Sequence, residues 1–239
     1  MQRFSAIVAI TAGIAILVVV GLALNGSLAG YGLALPVIAA SALIIIPRAR
    51  RLRLWVVALT AILVIGSVAA IETTPIGSSK FGERATTSVD SRAEILATTL
   101  HASADLMPFG SGLGSFVQVY HLYERPEQIT AVYVVHAHND YAELALELGL
   151  PGVVLIALFL AWWAAAVWRA WRSAEPRPFV RAAAISSAAI LVHSIVDFPL
   201  RTAAIAACFG MCAALLADSR AAPPKERTQL RRKRHVEFK

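Results

Sequence analysis

Long apolar runs, separated by short polar segments, dominate the hydropathy pattern of the chain. We identify six runs, at 5–24, 28–46, 54–71, 150–168, 182–196 and 203–217. A helix of about 20 apolar residues crosses the roughly 30 Å hydrocarbon core of a bilayer. The pattern therefore predicts an all-α fold, a polytopic membrane helix bundle with about six transmembrane helices. The last two runs are short for this purpose.

One long polar interval, residues 72–149, interrupts the apolar runs. It holds ten of the fifteen acidic residues and is too polar to span a membrane. A connection of this length is usually functional. The pattern thus predicts three N-terminal transmembrane helices in 1–71, a large loop in 72–149, three C-terminal transmembrane helices in 150–217 and a basic tail in 218–239.

The basic residues give this arrangement an orientation. Seventeen of the 22 lie at position 3, in 47–53, in 169–181 and in 218–239. Because cytoplasmic segments carry the excess of Lys and Arg, we expect both termini in the cytoplasm and 72–149 outside. The net charge is +7, and most of the basic residues that produce it lie next to the apolar runs. This distribution predicts that the tail meets anionic membrane lipids and that nucleic acid is not a partner.

The loop contains the pattern of a first helix. Ser91 and Glu94 have capping-box spacing, which predicts a helix that begins at Ser91 and stops before Pro108. Arg92 would then lie in the first turn, where free backbone N–H groups favour a bound anion. The forked N–H donors of the Arg92 guanidinium suit phosphate oxygens. The alternative is a surface ion pair of Arg92 with Asp90 or Glu94.

A second helix is predicted to begin near Asp140, where Glu143 repeats the capping spacing. It should reach Gly149, a natural helix end, with Pro151 opening the next span. Between the two helices, the glycine-rich segment 109–115 lacks the Lys-Ser/Thr of a nucleotide-binding loop. A tight turn with a close backbone approach is the better interpretation of this segment.

The densest cluster of polar chemistry precedes the second helix and contains His136, His138, Asn139 and Asp140. A neutral imidazole can accept a proton from a hydroxyl near pH 7, so these histidines are candidate general bases. A zinc site is the competing interpretation of the His-x-His-x-Asp spacing. Such a site needs further ligands, and His101 and His121 are the other histidines of the loop.

Ionisable residues also occur at the end of the fifth apolar run. His193 and Asp197 are one helical turn apart, and Arg201 follows one turn later. Such residues are costly at a membrane span unless they are paired or functional. An Asp197–Arg201 ion pair is one interpretation, and a second contribution to a site on the outer face is the other.

Three sequence matches and the position of the large loop resemble the O-antigen ligase and polymerase family of polysaccharide-assembly membrane proteins. His138-Asn139 followed by Gly149-Leu150-Pro151-Gly152 is similar to the family's His-Asn and Gly-x-x-Gly signature. The sequence 197–201, Asp-Phe-Pro-Leu-Arg, and the pairing of Ser91-Arg92 with 107–116 are similar to two further family segments. The position of a large loop before the last spans agrees as well.

Two departures from the family pattern stand beside this resemblance. Family members usually have about a dozen spans, so the six here resemble the C-terminal half, as either a truncated chain or a misassigned reading frame would give. Leu28 also stands where the family often has an arginine at a helix start. If that arginine helps to hold the donor, part of the site is missing.

The resemblance implies a glycosyltransferase at the outer face of the bacterial cell inner membrane, with 72–149 in the periplasm. The donor would be a glycan on a polyprenyl diphosphate carrier, and the acceptor a sugar hydroxyl of lipid A core or of another glycan. His138 would be the general base and Arg92 would neutralise the diphosphate. The substrate-binding candidates are Arg84, Arg125, His136, Asn139, Asp197 and Arg201. No metal and no cofactor are expected.

Three other functions stay open at this point. A transporter would line a path at the bilayer midplane with polar residues. An inactive or accessory subunit of an assembly complex would fit the missing helices, which a further membrane subunit could supply. A metallo-hydrolase would use the two histidines of the 136–140 cluster as ligands.

Overall fold

The computed structural model describes residues 13, 17, 20, 21, 28–45, 81–126, 133–173 and 177–218. The elements in chain order are α1 (Leu28–Ile45), α2 (Phe81–Asp105), α3 (Phe116–Tyr123), α4 (Asp140–Arg172), α5 (Pro178–His193), a 3-10 turn (Pro199–Arg201) and α6 (Ala203–Asp218). No strand occurs within these ranges, in agreement with the predicted all-α class.

Four of the six predicted spans fall on helices. The runs 28–46, 150–168, 182–196 and 203–217 coincide with α1, α4, α5 and α6, respectively. The run 54–71 and most of 5–24 lie outside the described residues. Within the described ranges, α4 is the one helix that is long and apolar enough to cross a membrane. The six-span bundle therefore stays a prediction.

Gly149 divides α4 into two helical halves. Its backbone has φ 60° and ψ −146°, which a residue with a Cβ avoids, and Pro151 follows within the next turn. The predicted helix end at Gly149 is thus confirmed as a kink. The half before the kink carries Glu143 and Glu147, and the half after it carries no charged residue before Arg169.

A separate buried apolar cluster lies near each half of α4. Near the first half, Ile95 of α2, Phe116 and Tyr120 of α3, and Ala137 form one buried cluster. Beside the second half, Ala166, Ala184 of α5 and Leu216 of α6 form another, with tryptophans packed around it. Small residues such as these alanines let membrane helices approach closely. The kink therefore separates the half of α4 that carries Glu143 and Glu147 from its apolar half.

The start of α2 corrects a prediction. The helix already includes Phe81, so Ser91 lies in its interior and is not a cap, and Arg92 does not lie in a first turn. Ile95, Thr99 and Ala102 are buried on one face of α2. A capping-box pattern is a local signal, and packing of this face overrides it. The predicted end before Pro108 is confirmed, because α2 ends at Asp105.

Candidate functional site

The carboxylate of Asp197 contacts three side chains from separate parts of the chain. Asp197 Oδ1 lies 3.2 Å from Nδ1 of His138. Its other oxygen, Oδ2, lies 3.6 Å from Nη2 of Arg92 and 3.8 Å from Nε2 of His193. We call Arg92, His138, His193 and Asp197 the Asp197 cluster. It joins the interior of α2, the segment before α4 and the segment after α5.

The backbone presents His138 to this carboxylate. His138 has φ 50°, the only positive φ of a non-glycine residue within the described ranges. Its ring meets Phe198 edge to face, with ring centroids 5.0 Å apart, and its side chain is 29% exposed. Because Nδ1 is held by Asp197, Nε2 is the ring nitrogen that can exchange a proton with a ligand.

Asn139, and not Asp140, caps α4. Its side-chain oxygen accepts a hydrogen bond from the N–H of Ala142 at 2.9 Å, and its amide nitrogen donates to the carbonyl of Ile195 at 2.8 Å. The capping spacing of Asp140 and Glu143 predicts Asp140 as the cap. This prediction is wrong, because Asp140 is already the first residue of α4. Asn139 ties the start of α4 to the end of α5, and the group that hydrogen bonds to His138 is Asp197.

Asp140 is buried beside this cap. Its Oδ2 accepts hydrogen bonds from Ser194 Oγ at 2.8 Å and from the N–H of Leu200 at 3.1 Å. Burial nevertheless raises the pKa of Asp140 above its ordinary value, because desolvation outweighs these bonds and the nearby Arg201. Its Oδ1 is buried without a hydrogen-bond partner. Asp140 is therefore a buried carboxyl group that links the start of α4 to Ser194 and Leu200.

Arg201 does not pair with Asp197. Its Nη2 donates to Glu147 Oε2 at 2.9 Å, and its Nε lies 3.4 Å from Glu143 Oε1. Both glutamate side chains are 1% exposed. The proposed Asp197–Arg201 ion pair is therefore wrong, because two buried acids one turn apart on α4 require the cation more strongly.

The same glutamates hold two loops of the site. Glu143 Oε2 accepts from the N–H of Ala137 at 2.9 Å, and its Oε1 lies 3.1 Å from Nδ1 of His136. Glu147 Oε1 accepts from the N–H of Gly114 at 3.0 Å. Since Ala137 precedes His138 directly, Glu143 fixes the backbone from which the candidate base projects.

The glycine-rich segment packs against the kink of α4. We call residues 108–115 the glycine loop. A Cβ on Gly110 would lie 2.5 Å from the backbone nitrogen of Gly149. The N–H of Leu150 donates to the carbonyl of Pro108 at 2.8 Å. The predicted tight turn with a close backbone approach is confirmed, and it explains why glycines occupy both sides of the contact.

The remaining candidates fall outside the Asp197 cluster. The backbone of Arg84 lies in α2, and its side chain is outside the described part of the structure. Arg125 is exposed just after α3. His136 stacks on Phe198 at 4.3 Å between ring centroids and faces Glu143. Arg92, His138 and Asp197 are thus the predicted residues that the structure brings together.

Sequence reasoning missed the roles of Glu143 and Glu147. Their signal was available, because two acids at i and i+4 on a helix that leads into an apolar run need a cation. The sequence does not show that Arg201, which is 54 residues from Glu147, supplies it.

The two histidines of the 136–140 cluster face different carboxylates. His136 contacts Glu143, whereas His138 contacts Asp197. Among the residues that the structure describes, no group of three His, Cys, Asp or Glu side chains has the geometry of a metal site. The His-x-His spacing therefore serves two separate carboxylate contacts in this arrangement.

Fold and site together define an all-helical protein that holds a histidine–carboxylate pair beside the polar end of a long apolar helix. The family model for O-antigen ligase matches residues 13–157, more than half of the 239 residues. The chain therefore belongs to the O-antigen ligase family. The curated proteins provide no match.

Membership gives the broad function. The family consists of membrane-embedded proteins of lipopolysaccharide and polysaccharide biosynthesis, with O-antigen ligase or polymerase activity on lipid-linked glycan donors and polysaccharide acceptors. The matched range includes Arg92 and His138. Asp197 and Arg201 lie beyond residue 157, and their link to the site comes from the contacts described above.

Proposed function

We propose that the protein transfers a glycan from a polyprenyl diphosphate carrier to a sugar hydroxyl of lipid A core or of a growing polysaccharide. The reaction would take place at the outer face of the bacterial inner membrane. The observation that carries this proposal is the 3.2 Å contact between His138 Nδ1 and Asp197 Oδ1, within a member of the O-antigen ligase family.

His138 is the general base of the proposed reaction. Its Nε2 takes the proton of the acceptor hydroxyl while that oxygen attacks the anomeric carbon of the donor. The bond between this carbon and the diphosphate oxygen breaks, and the carrier diphosphate leaves with the electron pair. Asp197 orients the ring through Nδ1 and stabilises the imidazolium that forms, as carboxylates do beside catalytic histidines.

Arg92 supplies positive charge for the leaving diphosphate. Its guanidinium contacts Asp197 from one side and its side chain is 38% exposed, which leaves further N–H donors for phosphate oxygens. Fixed positive charge where negative charge develops lowers the barrier of such a transfer. The diphosphate is a competent leaving group, so the proposed reaction needs no cofactor.

The test uses membranes of cells that produce the full chain, supplied with a lipid-linked glycan and an acceptor. In His138→Asn the backbone keeps a residue that tolerates positive φ, but the amide cannot take a proton. We expect transfer to fall by about 10²–10⁴, the usual effect of losing a general base, with protein level unchanged. Asp197→Asn should also lower the rate, because the ring loses its orienting charge.

His101→Asn is the matched control, because His101 is an exposed histidine on α2 that stacks edge to face on Tyr123. It should transfer at the wild-type rate. Undiminished transfer by well-expressed His138→Asn protein would exclude the proposed mechanism. Loss of protein in the membrane, instead of loss of rate, would indicate a structural role for His138.

A further inference from the structure

The glycine loop carries large apolar side chains that do not pack on the protein. Phe109 is 82% exposed, Leu113 is 71% exposed and the adjacent Met107 is 39% exposed. Leu150, which hydrogen bonds to this loop through its N–H, is 53% exposed. Exposed apolar side chains that are grouped in this way mark a contact surface.

The position of the loop along α4 identifies the partner. No charged residue lies between Glu147 and Arg169 on this helix. At 1.5 Å per residue this stretch is about 30 Å long, the thickness of the hydrocarbon core of a bilayer. The loop contacts α4 at Gly149 and Leu150, which is one end of that stretch. A bilayer that α4 crosses over this stretch would place the loop at the level where acyl chains meet head groups.

The charge pattern of the loop agrees with this level. No Asp, Glu, Lys or Arg occurs between Asp105 and Glu124, although the wider loop 72–149 is rich in acids. The exposed apolar surface also continues on α4 itself, where Val154 and Leu158 are 47% and 63% exposed. A membrane-embedded helix turns such a surface towards lipid, and the glycine loop extends it.

Several N–H groups of the loop donate hydrogen bonds within the protein. Lipid offers no partners for free N–H groups, so an inserted loop must satisfy them internally. The N–H groups of Gly110, Ser111 and Gly112 donate to the carbonyls of Leu106, Leu146 and Glu147 at 2.9, 3.0 and 2.7 Å, and that of Gly114 donates to Glu147 Oε1 at 3.0 Å. These four bonds lower the cost of placing the loop in an apolar environment.

We propose that the glycine loop inserts Phe109 and Leu113 into the lipid bilayer at the end of the apolar half of α4. The partner is the lipid surface that surrounds the protein. The insertion is a further membrane contact beside α4, and it does not depend on the transfer reaction proposed above.

Spin-label depth measurements on the full chain in lipid vesicles test this inference. A nitroxide is attached to Phe109→Cys or Leu113→Cys in a chain whose Cys208 and Cys212 are replaced by alanine. Collisions with oxygen, which concentrates in lipid, are compared with collisions with a water-soluble nickel complex. Leu155→Cys on α4 is the reference for lipid, and Leu122→Cys is the matched control.

Leu122 is 82% exposed like Phe109, but it lies beside Glu124 and Arg125. Labels at 109 and 113 should collide mainly with oxygen, as at 155, whereas the label at 122 should collide mainly with nickel. Preference for nickel at both loop positions would overturn the proposal in favour of water. Protection from both reagents would overturn it in favour of protein covering the loop. Equal oxygen collision at position 122 would show that membrane contact is not specific to the glycine loop, and it would overturn the proposal.

Discussion

Asp197 illustrates how a single side chain can organise a site. Its two oxygens are shared among a histidine before α4, an arginine inside α2 and a histidine at the end of α5. Each of these groups was visible in the sequence as a polar residue in an unusual place. Their partners were not visible, because contacts across 59 residues depend on how the helices pack.

Asp140 gives a prediction about pH. Because burial raises its pKa in the folded state, the folded chain binds a proton that the unfolded chain releases at lower pH. This contribution to stability is fully present below the ordinary value of 3.8 and is lost as pH rises through the folded pKa. We therefore expect Asp140→Asn to flatten the decline of the melting temperature above pH 3.8.

The measurement is thermal unfolding of both proteins in detergent across this pH range. The asparagine also places a new amide where Oδ1 has no partner, so its melting temperature need not equal that of the wild type. The slope of the melting temperature against pH is therefore the quantity to compare between the two proteins. Parallel curves for the two proteins would contradict the assigned proton uptake.

At the level of elements, the 3-10 turn is joined to α4 by Arg201. Arg201→Met would leave Glu143 and Glu147 buried without their cation, which typically costs about 3–5 kcal/mol. Arg201 is 25% exposed, so we expect a loss of unfolding free energy near the lower end of this range. Guanidinium or thermal unfolding in detergent measures this loss.

A control variant and a double variant show whether the loss in Arg201→Met comes from the buried charges. The exposed Arg169 in the last turn of α4, replaced by methionine, should cost at most about 1 kcal/mol. Adding Glu147→Gln to Arg201→Met should restore part of the loss, since one buried charge disappears. No recovery in the double variant would show that packing, and not charge compensation, explains the effect of Arg201.

The kink gives a second prediction at this scale. An alanine at Gly149 would need a backbone conformation that costs about 1–3 kcal/mol. Its Cβ would also lie 2.5 Å from the backbone nitrogen of Gly110. We expect Gly149→Ala to lower the melting temperature clearly and to loosen the glycine loop. Gly210→Ala is the control, because a Cβ at this helical position of α6 meets nothing within 4 Å. Equal melting temperatures for the two variants would refute the close approach.

The elements show where sequence patterns are reliable and where they fail. Hydropathy located α1, α4, α5 and α6 because apolar runs are long and their signal is summed over many residues. The start of α2 was misplaced because a capping box involves only four residues and occurs by chance inside helices. The break at Gly149 was predicted correctly, since Gly and Pro within three residues leave few backbone conformations.

For the whole molecule, the charge distribution predicts opposite sides for the two ends of α4. Cysteines at Tyr133, which is 65% exposed, and at Ser173 provide reporters in a chain without Cys208 and Cys212. A maleimide that cannot cross membranes should label Tyr133→Cys in intact spheroplasts and Ser173→Cys only after permeabilisation. Labelling in the reverse order would place the site on the cytoplasmic face and would contradict the predicted orientation.

The long separation between Asp197 and His138 also sets the timing of assembly during synthesis. Ribosomes add about 5–20 residues per second, so Asp197 follows His138 by roughly 3–12 s. Arg201 arrives later still, after the two glutamates that it neutralises. Until then the carboxylates of Glu143 and Glu147 have no cation from that turn. The ion pairs of Asp197 and of Arg201 therefore form late in synthesis, when the segment between α5 and α6 reaches the start of α4.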